Sequence, residues 1–153
     1  MKNLRIRFSA YGALIVALQA LPNVLWALFP PVPNRLAGNV SSIPFIEYGE
    51  HLLGVAIVIL LLFLVNKTVP NKIYRRSAPA IVSYAAIALY WLCWVLYFAG
   101  VQTNAVLYPM VLLPPVAFFC AGLAEKVLPV SAASAVFLVF HLAVALENYP
   151  LWH

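Results

Sequence analysis

Residues 77–124 contain no Lys, Arg, Asp or Glu, a charge-free run more than twice the ~20 residues that cross a bilayer as a helix. Only 8% of the 153 residues are charged and 65% are hydrophobic, with a mean hydropathy of +0.98. An ordinary soluble domain carries roughly 25% charge. The composition therefore excludes a soluble globular protein and places the chain in a membrane. With 14% aromatics, 6 Gly and 2 Cys, disordered, collagen-like and disulfide-stapled chains are excluded as well.

The apolar runs divide at polar or Pro/Gly-marked breaks into five expected transmembrane helices, approximately 8–30, 43–65, 78–99, 105–124 and 127–146. The expected fold is all-α, a polytopic helical bundle read as one transmembrane domain over 1–153. Placing the N-terminus in the cytoplasm puts Lys2, Arg5, Arg7, Lys67, Lys72, Arg75, Arg76 and Lys126 inside, with Arg35 alone outside. The positive-inside rule favours that orientation, leaves the C-terminus extracytoplasmic, and implies a multi-pass protein of an inner or plasma membrane. It also accounts for the net charge of +5 without a nucleic-acid partner. A cleaved signal peptide is the rival reading of the first run, but the apolar stretch continues to Phe29, too long for such a segment.

Short connections predict antiparallel hairpins between the third and fourth spans and between the fourth and fifth. Cys93 and Cys120 should lie roughly 15 Å apart in depth, which forbids a disulfide. Both read as small apolar filler. Glu125, beside Lys126 at the cytoplasmic surface, reads as a solvated loop charge.

Ionisable side chains are costly in hydrocarbon, so each one inside a span is a candidate functional group. Counting inward from the outer boundary at ~1.5 Å per residue, Asn23, Glu50 and His51 lie about 10 Å deep and His141 about 8 Å. Glu47 and Glu147 form a shallower ring above them, joined by Asn148, Gln102 and Asn104. The cytoplasmic halves of the spans contain no acid or His, so the pattern suggests a polar pocket open to the outer side or outer leaflet. Glu47, Glu50 and His51 share one helix face, and Gly54 extends that stripe, permitting close approach of a backbone or ligand. Pro22, beside Asn23, and Pro109, Pro114 and Pro115 interrupt backbone hydrogen bonding; such breaks are ordinary kinks or line a cavity. Tyr90, Trp94 and Tyr97 recur at helical spacing. A lipid-facing aromatic belt accounts for Tyr97 and Trp94, and a pocket wall accounts for Tyr90.

These residues bound the chemistry. No Lys lies within a span to carry retinal, and no glycine-rich phosphate loop is present. The expectation is general acid–base chemistry on an apolar or amphipathic molecule, lipid- or isoprenoid-like, entering laterally, as in an isomerase, cyclase or hydrolase. Glu50, His51, His141 and Glu47 are the candidate catalytic residues. Asn23, Trp94, Tyr90, Glu147 and Asn148 are the candidate substrate contacts. No cofactor or metal site is expected; a haem or metal held by His51 and His141 is the weaker alternative, because a paired Glu-x-x-His pattern is missing. Membrane lipids are the expected surroundings, and a homo-oligomer is compatible with the sequence. A proton-coupled transporter working as an oligomer and a non-catalytic membrane subunit or binding protein are the competing functional classes.

Overall fold

Three of the five helices carry proline at their first or second position, where it needs no N–H partner and presets the backbone angle: Pro44, Pro79 and Pro129. In the computed structural model, which describes residues 3–150, the helices are α1 (Ala10–Leu28), α2 (Pro44–Phe63), α3 (Ala78–Phe98), α4 (Asn104–Glu125) and α5 (Leu128–Asn148). Each falls on an expected span, with ends moved by one or two residues. All five are long and apolar enough to cross a membrane, and the chain is a multi-pass helical bundle by that measure. α1 starts where the Ser9 side chain accepts a hydrogen bond from the Gly12 N–H at 2.9 Å.

One element departs from the all-α expectation. Leu4–Ile6 (β1) pairs antiparallel with Leu64–Asn66 (β2), tying the segment before α1 to the residues that follow α2. Hydrophobic periodicity cannot reveal a three-residue pairing between segments sixty positions apart. A short 3-10 turn, Arg35–Gly38, interrupts the α1–α2 connection.

Hydrogen bonds at the two ends show the helices alternating in direction. At one end, Ser9, Arg75 and Glu125 meet, and the Asn66 amide donates to the Lys126 carbonyl at 3.0 Å. At the other, Arg35 reaches Gln102, and Ser42 reaches Glu147. We call these the basic end and the distal end. The tight α4–α5 turn at the basic end uses Lys126 in the left-handed region (φ 55). The Val127 N–H donates to the Gly122 carbonyl at 2.8 Å across it, a helix-closing arrangement that satisfies an otherwise free acceptor.

Packing is most extensive along α3–α4–α5, with α2 laid against α5 and α1 touching its neighbours more sparsely. Three glycines set the close approaches: a Cβ at Gly12 would collide with the Leu61 carbonyl, one at Gly49 with the Phe140 ring, and one at Gly122 with Ser131. No backbone approaches Gly54 closely; a Cβ there would meet the Phe137 ring at an ordinary 3.7 Å. Prolines do not break the helices; Pro22 and the three α4 prolines sit within continuous helix. Pro22 cannot donate to the Leu18 carbonyl, and Trp91 Nε1 donates there instead at 2.9 Å. Cys93 and Cys120 are both free.

Two sequence expectations are corrected. Trp94 is 3% exposed and Tyr97 fully buried, so neither belongs to a lipid-facing belt; both pack into the distal core with Leu107, Met110 and Tyr149. Glu125 is 3% exposed rather than solvated. Its Oε1 accepts from Arg75 Nε at 2.5 Å and its Oε2 from the Ser9 hydroxyl at 3.2 Å. The adjacent Lys126 is exposed, and its neighbour turns inward instead. Arg75 also lies over the Tyr11 ring, 5.2 Å being the corresponding Arg35–Tyr149 spacing and 5.4 Å its own.

Removing one partner of a buried ion pair strands the other. Glu125→Ala should destabilise the bundle by about 3–5 kcal/mol, read as a lowered midpoint in detergent unfolding, whereas Lys126→Ala should change it by less than about 0.5 kcal/mol.

Candidate functional site

All five helices contribute to one cavity of about 510 Å³. α1 supplies Gln19, Ala20 and Asn23 on one stripe; α2 supplies Glu50, His51 and Gly54; α3 supplies Tyr90 and Trp94. Met110, Val111, Pro114 and Phe118 of α4 form the facing wall, completed by Phe137 and His141 of α5. Val16, Val58 and Phe118 make the end nearest the basic end apolar. The acid and imidazoles cluster in the distal half.

The central pair is Glu50 and His141. Glu50 Oε1 and His141 Nδ1 share a hydrogen bond of 2.5 Å, joining α2 to α5. Both side chains are mostly buried, and the Phe137 ring stacks on the imidazole at 4.9 Å and 22°. With Nδ1 engaged by the carboxyl, Nε2 is the imidazole nitrogen left for another group. The carboxyl and the stacked ring thus fix one orientation of the His141 imidazole.

His51 is held differently. A backbone carbonyl only accepts, so its Nδ1 carries the proton and donates to the Glu47 carbonyl at 2.8 Å, leaving Nε2 unprotonated in the neutral ring. Its side chain is 70% exposed. Among the lining residues, exposure is confined to Ala20 and Asn23 on α1 and His51 on α2. The exposed part of the lining therefore lies on the distal halves of α1 and α2. Asn23 donates to the Tyr90 hydroxyl at 2.9 Å, which gives Tyr90 the partner a mid-span hydroxyl needs.

The distal end is roofed by the α1–α2 connection, from which Leu36 and Asn39 reach the lining. Gln102 accepts from the Arg35 N–H at 3.0 Å and donates to the Pro33 carbonyl at 2.6 Å. Tyr97 accepts from the Leu36 N–H and donates to Asn34. The Tyr149 hydroxyl donates to the Arg35 carbonyl at 2.9 Å; burial, with Tyr97 nearby, pushes it up to about 12, so it remains a donor at neutral pH.

The sequence-predicted residues divide accordingly. Glu50, His51, His141, Asn23, Tyr90 and Trp94 come together around the cavity. Glu47, Glu147 and Asn148 are not among its lining residues; they hold the roof. Glu47 accepts from the Ser41 N–H at 2.7 Å, Glu147 from the Ser42 N–H at 2.8 Å and the Ser41 hydroxyl at 2.7 Å, and Asn148 donates to the Val40 carbonyl at 2.9 Å. A carboxylate near a helix end satisfies loop donors as readily as it meets a ligand, and spacing alone does not separate the two. Gln19 and Asn39 were missed. Gln19 stands four residues before Asn23, and a mid-span amide was itself a signal.

Among the described residues, no three His, Cys, Asp or Glu side chains converge as a metal-ligand set. No protein-family model matches the chain, and neither a curated protein nor a solved structure shows significant similarity to it.

The roof network predicts a local effect. Glu147→Gln combined with Glu47→Gln should speed amide hydrogen exchange at Ser41 and Ser42 severalfold while leaving α3 and α4 unchanged; equal acceleration in all helices would contradict a roof-holding role.

Proposed function

We propose that this protein is an integral-membrane acid–base catalyst acting on an apolar or amphipathic, lipid-like molecule that enters between α1 and α2. The observation that carries this reading is the Glu50–His141 pair set in a cavity whose exposed lining residues lie on α1 and α2. When His141 Nε2 takes a proton, its Nδ1 proton can pass to the Glu50 carboxyl, and the reverse returns it, so the pair can accept or donate a proton at Nε2, the behaviour required of a general acid or base. His51, in the exposed part of the lining, offers a second unprotonated nitrogen. Isomerisation, cyclisation and hydrolysis all draw on such groups.

The roof supports lateral admission, since its hydrogen bonds to Glu47, Gln102, Glu147 and Asn148 cover the route from the distal side. The apolar end formed by Val16, Val58 and Phe118 favours catalysis over transport, because a transporter needs a route onward to the other face. Arg5, Arg7, Lys67, Lys72, Arg75, Arg76 and Lys126 gather at the basic end, and Arg35 lies at the other. That asymmetry supports a cytoplasmic basic end in an inner or plasma membrane, with the exposed lining in the outer leaflet.

Membranes containing the protein, incubated with a total lipid extract and compared by mass spectrometry with membranes containing Glu50→Gln, test the proposal. Loss of the new product by 100-fold or more in Glu50→Gln and in His141→Gln is expected; identical lipid profiles for the parent and both variants would overturn it. Flux of protons into proteoliposomes that depends on Glu50, without product, would instead favour the transporter.

A further inference from the structure

The cavity carries more polar capacity than acid–base chemistry uses. Gln19 is 4% exposed, yet neither its amide oxygen nor its amide nitrogen has a hydrogen-bond partner in the protein. Trp94 Nε1 and Asn39 Oδ1 are buried without partners too, and all three residues line the cavity. On the facing wall, Pro114 and Pro115 lack the N–H groups that would bond to the carbonyls of Met110 and Val111, whose residues also form the lining. Buried polar groups are ordinarily paired, so a concentration of unpaired ones on a single cavity points to a ligand that completes them.

The lining contains no lysine or arginine. Its carboxyl, Glu50, would oppose an anion, and the nearest concentration of cations is at the far, basic end. A phosphate or diphosphate head would therefore lose its hydration with no lysine or arginine to meet it.

We infer that the ligand of this cavity is a neutral amphiphile whose head bears a hydrogen-bond donor and acceptor side by side, a carboxamide or a hydroxyl-bearing group, and that Gln19 selects it by pairing with that head. The inference rests on the lateral, lipid-like substrate proposed above and narrows it. Gln19 is a binding residue, about 6 Å further from the distal end than Asn23. An amide offers two donors and two acceptor lone pairs, which a carboxamide matches in both directions and an alkane in neither. Trp94 Nε1 adds a donor for a second acceptor.

Four twelve-carbon probes that differ only in their heads test this: dodecanamide, 1-dodecanol, dodecyl phosphate and dodecane. Binding to the full chain in nanodiscs is read from tryptophan emission, since Trp26 and Trp94 both line the cavity. Dodecanamide and dodecanol should bind, dodecane weakly and dodecyl phosphate not at all. Gln19→Leu should weaken the amide about tenfold, the loss of one well-made buried hydrogen bond, and leave dodecane unchanged. Because this change removes an unpaired amide, it should not lower the unfolding temperature of the empty protein; if it does, Gln19→Met, closer in shape, gives the same comparison. Equal binding of dodecyl phosphate and dodecanamide, or an amide preference that survives loss of Gln19, would overturn the inference. A Gln19-dependent preference without any Glu50-dependent product overturns the catalytic reading alone, and turnover without that preference overturns this one alone.

Discussion

A polar atom within a hydrocarbon slab has no water to turn to, so its partner must come from the protein or from a ligand. Much of this bundle can be read from that single restriction. The carbonyl of Leu18, left free by Pro22, receives the Trp91 indole. The hydroxyls of Ser83, Ser131 and Ser134 donate to the carbonyls of Ala117, Phe119 and Val130. Glu125 is acceptable inside only because Arg75 and Ser9 meet both its oxygens. The side chains left unmatched among the described residues are Tyr11, Gln19, Asn39 and Trp94, and all but Tyr11 border the cavity. The exceptions to the rule mark the same place as the acid–base pair.

How far the sequence revealed this depended on the kind of physics involved. Span positions followed from apolar length, and the co-location of Asn23, Glu50, His51 and His141 followed from depth counting, because a helix rises by a fixed amount per residue. Depth says nothing of azimuth. Glu47 and Glu147 were therefore drawn into the same site, although they face the loop above it. Glu125 was misread for a related reason: its partner, Arg75, is fifty positions away, and only the α3–α4 packing brings them together. Trp94 and Tyr97 stand at a depth typical of interfacial aromatics, and helix rotation, which a nearly uniform apolar sequence leaves undetermined, turned them inward. The β1–β2 pairing lay below the resolution of any periodicity.

The two acidic pairs divide the labour of the bundle. At the basic end, Arg75–Glu125 joins the residues preceding α3 to the end of α4 with its carboxyl buried, which holds those elements together. In the distal half, Glu50–His141 joins α2 to α5 beside open space, with one imidazole nitrogen unused. The same kind of contact leaves no side-chain oxygen of Glu125 unmatched at the basic end, and one imidazole nitrogen of His141 over beside the cavity.

The β1–β2 ladder and the contact of Gly12 with Leu61 grip α1 against α2 at the basic end. Further along, each of the two is bonded to a third helix instead: Leu18 and Asn23 tie α1 to α3, and Glu50 ties α2 to α5. The spacing of this pair of helices beside the cavity is thus framed by neighbours rather than by their mutual contact, so a substitution on α3 or α5 can alter it without touching either one.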